Sequence, residues 1–191
     1  MTMRRICVYC GSSPGGNPAY THAATELAGV LVENDIELVY GGASKGTMGI
    51  LADAMLEHGG AVHGVIPKML QDKEIAHTGL TELHVVTTMH ERKSMMAALS
   101  DGFIAMPGGF GTLEELIEML TWGQLRFHDK PCGVFNVLGY FDKLLEYLDH
   151  THREGFLRAE NRAMLLCDDD AAGLLNQFER YSAPHIEKWA D

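Results

Sequence analysis

Two carboxylates follow three glycines and a threonine in the run Pro107-Gly108-Gly109-Phe110-Gly111-Thr112-Leu113-Glu114-Glu115. Glycine lets the backbone approach a ligand with no Cβ in the way. Thr112 is a good N-cap for a following helix. Free amide N–H groups and the positive end of the dipole then face the turn, which makes it an anion site, most often for phosphate. A phosphate cradle has no use for Glu114 and Glu115, and a bound phosphate would repel them. Their presence points to bond-breaking chemistry beside a held phosphate. An ionised carboxylate next to a sugar can stabilise an oxocarbenium-like centre or activate water, as in glycosyl transfer. The helix dipole is expected to keep a carboxylate here ionised at neutral pH. A second reading of Glu115 stands beside this one. Thr112-x-x-Glu115 also fits a capping box, with the acid reaching back to its own helix terminus. Glu118, one turn later, reads as solvated.

Arg92 and Lys93 open a helix in the run Met89-His90-Glu91-Arg92-Lys93. Cations there oppose the dipole at a cost of roughly a few tenths of a kcal/mol. An anionic ligand or a partner carboxylate would offset that cost. Arg92 can fork onto a phosphate or hold Glu115. Lys93 reads equally well as part of a solvated helix start. The loop Gly41-Gly42-Ala43-Ser44-Lys45-Gly46-Thr47 is neither a Walker A loop nor a dinucleotide fingerprint. It reads as a strand-to-helix turn that offers amide donors or small-residue clearance.

The 191 residues are 46% hydrophobic and carry 21 glycines, which suits one compact domain with a sizeable core. A formal charge of −11 argues against duplex nucleic acid, whose phosphates need basic stripes. The N-terminus does not read as a signal peptide and no apolar run approaches spanning length, so the expectation is a cytoplasmic chain with no membrane partner. Cys7 and Cys10 form a CxxC, but on an apolar strand rather than at a helix start. With Cys132 and Cys167 they read as core thiols. The ten histidines show no ligand spacing along the chain, and neither a metal nor a cofactor is expected.

What must position these groups is an alternation of strands and helices. Strands are predicted at 4–10, 37–40, 61–66, 82–86, 102–106, 133–136 and 164–167. Helices are predicted at 19–34, 46–58, 90–100, 113–126, 140–153 and 171–180. The short strands, apolar on both faces, predict an α/β fold: a Rossmann-like, doubly wound parallel sheet with helices on both faces, as a single domain over 1–181. Residues 182–191 read as a C-terminal tail. In such sheets ligands bind beyond the carboxyl ends of the strands where strand order reverses. Right-handed crossovers bring the loops at 10–16, 41–46, 89–93 and 107–112 to that one edge.

The segments VYCGSSPG, VYGG with a later MG, GVIPK, MHERK, PGGFGTLEE and TWGQL, in this order, resemble the Lonely Guy family of cytokinin riboside 5′-monophosphate phosphoribohydrolases. The resemblance runs from Cys7 to about Leu166. It implies an enzyme that hydrolyses the N-glycosidic bond of an adenosine 5′-monophosphate-type nucleotide, N6-modified or plain. The products are a free adenine-type base and ribose 5-phosphate. It also implies a Rossmann-like fold and a homodimer. By the same resemblance Arg92 and Glu115 are the catalytic pair. The substrate contacts it implies are Glu74, Arg92, Lys93, Gly109, Phe110, Gly111, Thr112, Leu113, Glu114, Glu115 and Thr121. Ala43 and Thr47 depart from the family's usual glycine and leucine in the second loop, which puts the base preference in question more than the reaction. A non-catalytic carrier of a nucleotide or phosphorylated cofactor is the alternative. It would need the glycine cradle but not Arg92 together with Glu115.

Overall fold

The computed structural model describes residues 3–184, apart from 72, 74 and 75. In chain order the elements are β1 (Arg5–Tyr9), α1 (Pro18–Glu33), β2 (Glu37–Tyr40), α2 (Gly46–Glu57) and β3 (Val62–Pro67). Next come α3 (Lys68–Gln71), β4 (Glu82–Val86), α4 (Met89–Leu99), β5 (Gly102–Ala105), α5 (Phe110–Gln124) and β6 (Cys132–Phe135). A 3-10 turn (Val137–Gly139), α6 (Asp142–Arg153), α7 (Ala159–Arg162), β7 (Leu165–Asp168) and α8 (Ala171–Arg180) complete it.

The strands form one sheet in the order β4-β3-β2-β1-β5-β6-β7, parallel throughout. β5 and β6 are buried along their whole length, as a sheet covered on both faces requires. One face packs against α1, α2 and α8 through Leu27, Leu31, Leu51, Met55, Leu174 and Phe178. The other is covered by α4, α5 and α6, with Met96, Met119, Leu116 and Leu148 among the contacts. Strand order reverses between β1 and β5, which pair from Ile6↔Gly102 to Tyr9↔Ala105. The loops leaving those two strands diverge and open a crevice between them.

The expected doubly wound sheet is therefore present, with three local differences. α5 begins at Phe110 rather than at 113, because Gly109 serves as its cap and Thr112 is already its third residue. α6 begins at Asp142 rather than at 140, because a 3-10 turn precedes it and holds Leu138 at φ +53°. The four-residue helices α3 and α7 were not expected, since each is too short to show a helical period. Glu74 and the tail from residue 185 onward lie outside the described residues.

Candidate active site

The crevice at the strand-order reversal is a cleft of about 260 Å³. Gly11 and Ser12 line it from the β1 loop, Gly41 and Met48 from the β2 side, Met89 and Arg92 from α4, and Gly109 to Thr112, Glu114 and Glu115 from α5. All four loops that the sequence assigned to one edge meet there.

α5 starts at the cleft with no side chain among the described residues capping it. Its first amide N–H groups thus have no intrahelical acceptor. Thr112 is buried, and its Oγ1 occupies the space a Cβ on Gly108 would need. The hydroxyl faces the glycine turn instead of capping the helix. This corrects the expected Thr112 cap, and with it the capping box to Glu115. A complete box exists elsewhere, at the start of α4. The Thr88 hydroxyl accepts from the Glu91 amide at 3.1 Å, and Glu91 Oε2 accepts from the amides of Thr87 at 2.7 Å and Thr88 at 3.2 Å. Glu91 therefore neutralises the terminus and fixes the first turn, so that Arg92 enters the fold at a defined angle. Thr88-x-x-Glu91 carried this signal in the sequence.

Arg92 is buried. Its Nε donates to the Val65 carbonyl at 3.1 Å and its Nη2 to the Gly41 carbonyl at 3.2 Å. The guanidinium is thus fixed by two backbone oxygens from β3 and the end of β2. Its remaining Nη1 points at Glu115, 3.8 Å from Oε1, an ion pair too long for a hydrogen bond. The Gly41 loop does provide clearance, for the arginine: a Cβ on Gly41 would collide with the guanidinium.

Lys93 is buried too, not solvated. Its Nζ pairs with Glu114 at 2.5 Å and with Glu118 at 3.0 Å. Burial pulls the ammonium down, but the hydrogen bonds it donates to the two carboxylates outweigh this and hold the Lys93 pKa above its ordinary value. Glu118 is correspondingly paired rather than solvated. Lys93 is not in the cleft wall and acts on it through Glu114.

With Lys93 committed to two acids, Glu115 faces Arg92 with no close hydrogen bond among the described residues. Its side chain is 12% exposed. Burial pushes its pKa up to about 7; Arg92 pulls the other way, and the charge on Glu114 adds to the rise. At about 7 the acid is only partly ionised at neutral pH, so the helix terminus does not hold it in the ordinary carboxylate range: loss of water outweighs a terminus that begins five residues away. A carboxyl that titrates near neutrality in a cleft has the property required of a general base.

The cleft walls around the pair are Tyr9, Cys10, Met89 and Met96, and Phe110 stands 93% exposed at its mouth. Cys7 and Cys10 are buried free thiols that burial holds well above the ordinary thiol range, so they are core residues as expected. Leu113 packs into the core beside Leu116 rather than into the cleft. Thr121 lies more than two turns along α5, exposed, with its Oγ1 donating to the Ile117 carbonyl at 2.7 Å. Ala43 is buried in the core away from the cleft wall. The Thr47 hydroxyl donates to the Ser13 carbonyl at 3.2 Å and lines a neighbouring hollow of about 340 Å³. That hollow adjoins Pro107 to Gly109, where the Tyr140 hydroxyl donates to the Gly108 carbonyl at 2.6 Å and pins the glycine turn. Sequence reasoning missed Tyr140, because nothing local links it to a loop 32 residues earlier.

Residues 48–178 match the model of a family described as "Possible lysine decarboxylase". The chain is 49% identical over 183 residues to the probable cytokinin riboside 5′-monophosphate phosphoribohydrolase LOGL1 of Oryza sativa subsp. japonica, covering 96% of this chain and 82% of that one. It is 47% identical over 187 residues to the cytokinin riboside 5′-monophosphate phosphoribohydrolase LOG1 of Arabidopsis thaliana, covering 98% and 87%. Among solved structures, the molybdenum cofactor carrier protein of Chlamydomonas reinhardtii shares the fold with a TM-score of 0.70 at 19% identity, over 93% of this chain and 96% of that one.

Proposed function

The chain belongs to the family of cytokinin riboside 5′-monophosphate phosphoribohydrolases, and on that premise we propose that it hydrolyses the N-glycosidic bond of an adenosine 5′-monophosphate-type nucleotide. The 5′-phosphate sits on the uncapped start of α5, at the amides of Gly109 to Thr112, where the dipole favours an anion. The ribose lies between that terminus and Glu115. Glu115, ionised, takes a proton from a water that adds to the anomeric carbon, and its charge stabilises the oxocarbenium-like centre as the bond to the base nitrogen breaks. The base departs with the bonding electrons and is protonated from solvent. Arg92 aims Glu115 and holds the nucleotide's ribose or phosphate.

The observation that carries this reading is the convergence of Arg92 and Glu115 in one cleft, 3.8 Å apart, beside a helix terminus that no side chain among the described residues caps. A carrier would gain nothing from a buried acid that burial makes hard to ionise, and the structural likeness to a carrier is one of fold alone. The cysteines, all free, fit a reducing compartment such as the cytoplasm. The working unit is a homodimer formed through the apolar ground between α4 and α5.

The test is incubation of the protein with AMP and with an N6-isopentenyl analogue, followed by chromatography for free base. Wild type releases base and ribose 5-phosphate in equal amounts. Glu115→Gln still binds AMP but does not turn it over. Wild-type turnover in Glu115→Gln would remove the catalytic assignment.

A further inference from the structure

Away from the cleft, at the amino ends of the strands, the sheet assembles a second set of polar side chains. Glu37 opens β2, His63 is the second residue of β3, and Glu82 and His84 are the first and third of β4. The register pairs His63 with Glu82 and Val65 with His84, so both histidines and Glu82 stand on the face that also carries Val39 and Val65. His63 Nδ1 lies 3.4 Å from Glu82 Oε2, and His84 Nε2 lies 3.4 Å from the same oxygen. All three candidate donor atoms fall within 4.8 Å of one another.

We propose that His63, Glu82 and His84 form a binding site for one divalent transition-metal ion of the zinc class. Three features support it. The two 3.4 Å separations match the edge of a tetrahedron with metal–ligand bonds of about 2.0–2.1 Å, which is roughly 3.4 Å. His84 Nε2 is buried, points into the group and has no hydrogen-bond partner among the described residues. His63 is oriented as a ligand should be. Its other nitrogen, Nε2, faces Glu37 Oε2 at 2.9 Å, and Glu37 is held in turn by Arg5 Nε at 2.6 Å. That is the carboxylate–histidine–metal arrangement in which an outer acid fixes the tautomer of the inner ring.

A neutral imidazole has one N–H. With Nε2–H given to Glu37, Nδ1 turns a lone pair toward a carboxylate oxygen, and two acceptors confront each other. A cation among His63, Glu82 and His84 removes that conflict and satisfies His84 Nε2 as well. The Glu82 side chain is 55% exposed, so the ion enters from solvent and keeps water as its fourth ligand. The bound ion would clamp the edge strand β4 to β3, whose Val65 carbonyl holds Arg92. The ligands are 19 and 21 positions apart across two strands, which is why no spacing along the chain disclosed them.

The experiment is titration of tag-free, chelator-treated full-length protein with Co2+. One equivalent should produce the strong visible absorption of a tetrahedral site, and Zn2+ should abolish it by displacement. His84→Ala, His63→Gln and Glu82→Gln should each weaken Co2+ binding by at least about tenfold, and Glu37→Gln by about tenfold through the outer contact. Zn2+ should raise the wild-type melting temperature by several degrees and leave His84→Ala unmoved. Circular dichroism of each variant separates loss of the site from loss of the fold, and Glu82→Gln, on a half-exposed side chain, serves if a histidine variant fails to fold. Absence of saturable binding at one equivalent overturns the proposal, leaving a proton on His63 Nδ1 as what joins the group. Binding that is unchanged in His84→Ala and Glu82→Gln also overturns it.

Discussion

Glu115 is held in a place where ionising costs free energy, and that cost is measurable apart from catalysis. In the unfolded chain this carboxyl releases its proton near its ordinary 4.5; in the folded chain it does so at about 7. Between those values the folded state binds more protons, so stability falls as pH rises through this window and stays lower above it. The shift corresponds to about 3 kcal/mol at one pKa unit per ~1.4 kcal/mol. Glu115→Gln, which removes the titration, should therefore match wild type in stability at pH 4 and exceed it at pH 8 by up to about 3 kcal/mol. Urea unfolding at the two pH values measures this. An equal difference at both would show that burial does not govern the group. The same titration should appear in catalysis. As an ionised base, Glu115 gives kcat/KM for AMP a rising limb centred near pH 7. Arg92 holds that value down. Arg92→Gln should move the limb to higher pH while lowering the plateau by about a hundredfold or more. A limb that stays in place while the plateau drops would separate the arginine from the acid.

At the level of elements, the site depends on where helices begin and how closely strands' ends pack beneath them. Gly41 shows the coupling. Its carbonyl receives Arg92 Nη2, and its lack of a Cβ makes room for the guanidinium. Gly41→Ala should cost about 1–3 kcal/mol through overpacking and cut kcat/KM by at least about tenfold, because Arg92 must leave its two carbonyls. Gly16→Ala, whose new methyl would meet nothing, is the control for both measurements. The presence of these elements was legible in the sequence: apolar runs, glycine breaks and the MHERK and PGGFGTLEE segments are local signals. Their terminal details were less so. Thr112 and Thr88 stand in the same S/T-x-x-E pattern, yet only Thr88 caps a helix, since the Gly-Phe-Gly run lets α5 start two residues before Thr112. Glu118 reads as solvent-facing, and Lys93 stays open between a solvated helix start and a ligand contact, because nothing along the chain shows that α4 and α5 press them together. The burial of Glu115 and the reach of Tyr140 to Gly108 are likewise products of packing between distant segments.

For the whole molecule, the reversal of strand order between β1 and β5 decides where chemistry is possible, and the covering of α4 and α5 decides what surrounds it. The first was readable from the alternation of strand and helix; the second was not, because it concerns surface the chain leaves open. Between those helices runs a hollow of about 470 Å³ walled by Ala97, Ala98, Trp122 and Phe127, with His128 and Lys130 at its edge. Phe127 is 72% exposed. On a chain of net charge −11, a hollow lined by apolar side chains and Lys130 is a surface on which a second copy can approach with little repulsion. Association there would involve α4 and α5, the two helices that also carry Arg92 and Glu115. Wild type should therefore sediment as two copies of 21.0 kDa, and Phe127→Asp, which sets a charge in the apolar wall, as one. If the partner completes the cleft, the monomeric variant should retain its thermal unfolding profile but lose most of its kcat/KM for AMP. A Phe127→Asp protein that keeps the dimer mass would place the interface on another face. One that is monomeric with wild-type turnover would show that each cleft works with the residues of a single chain.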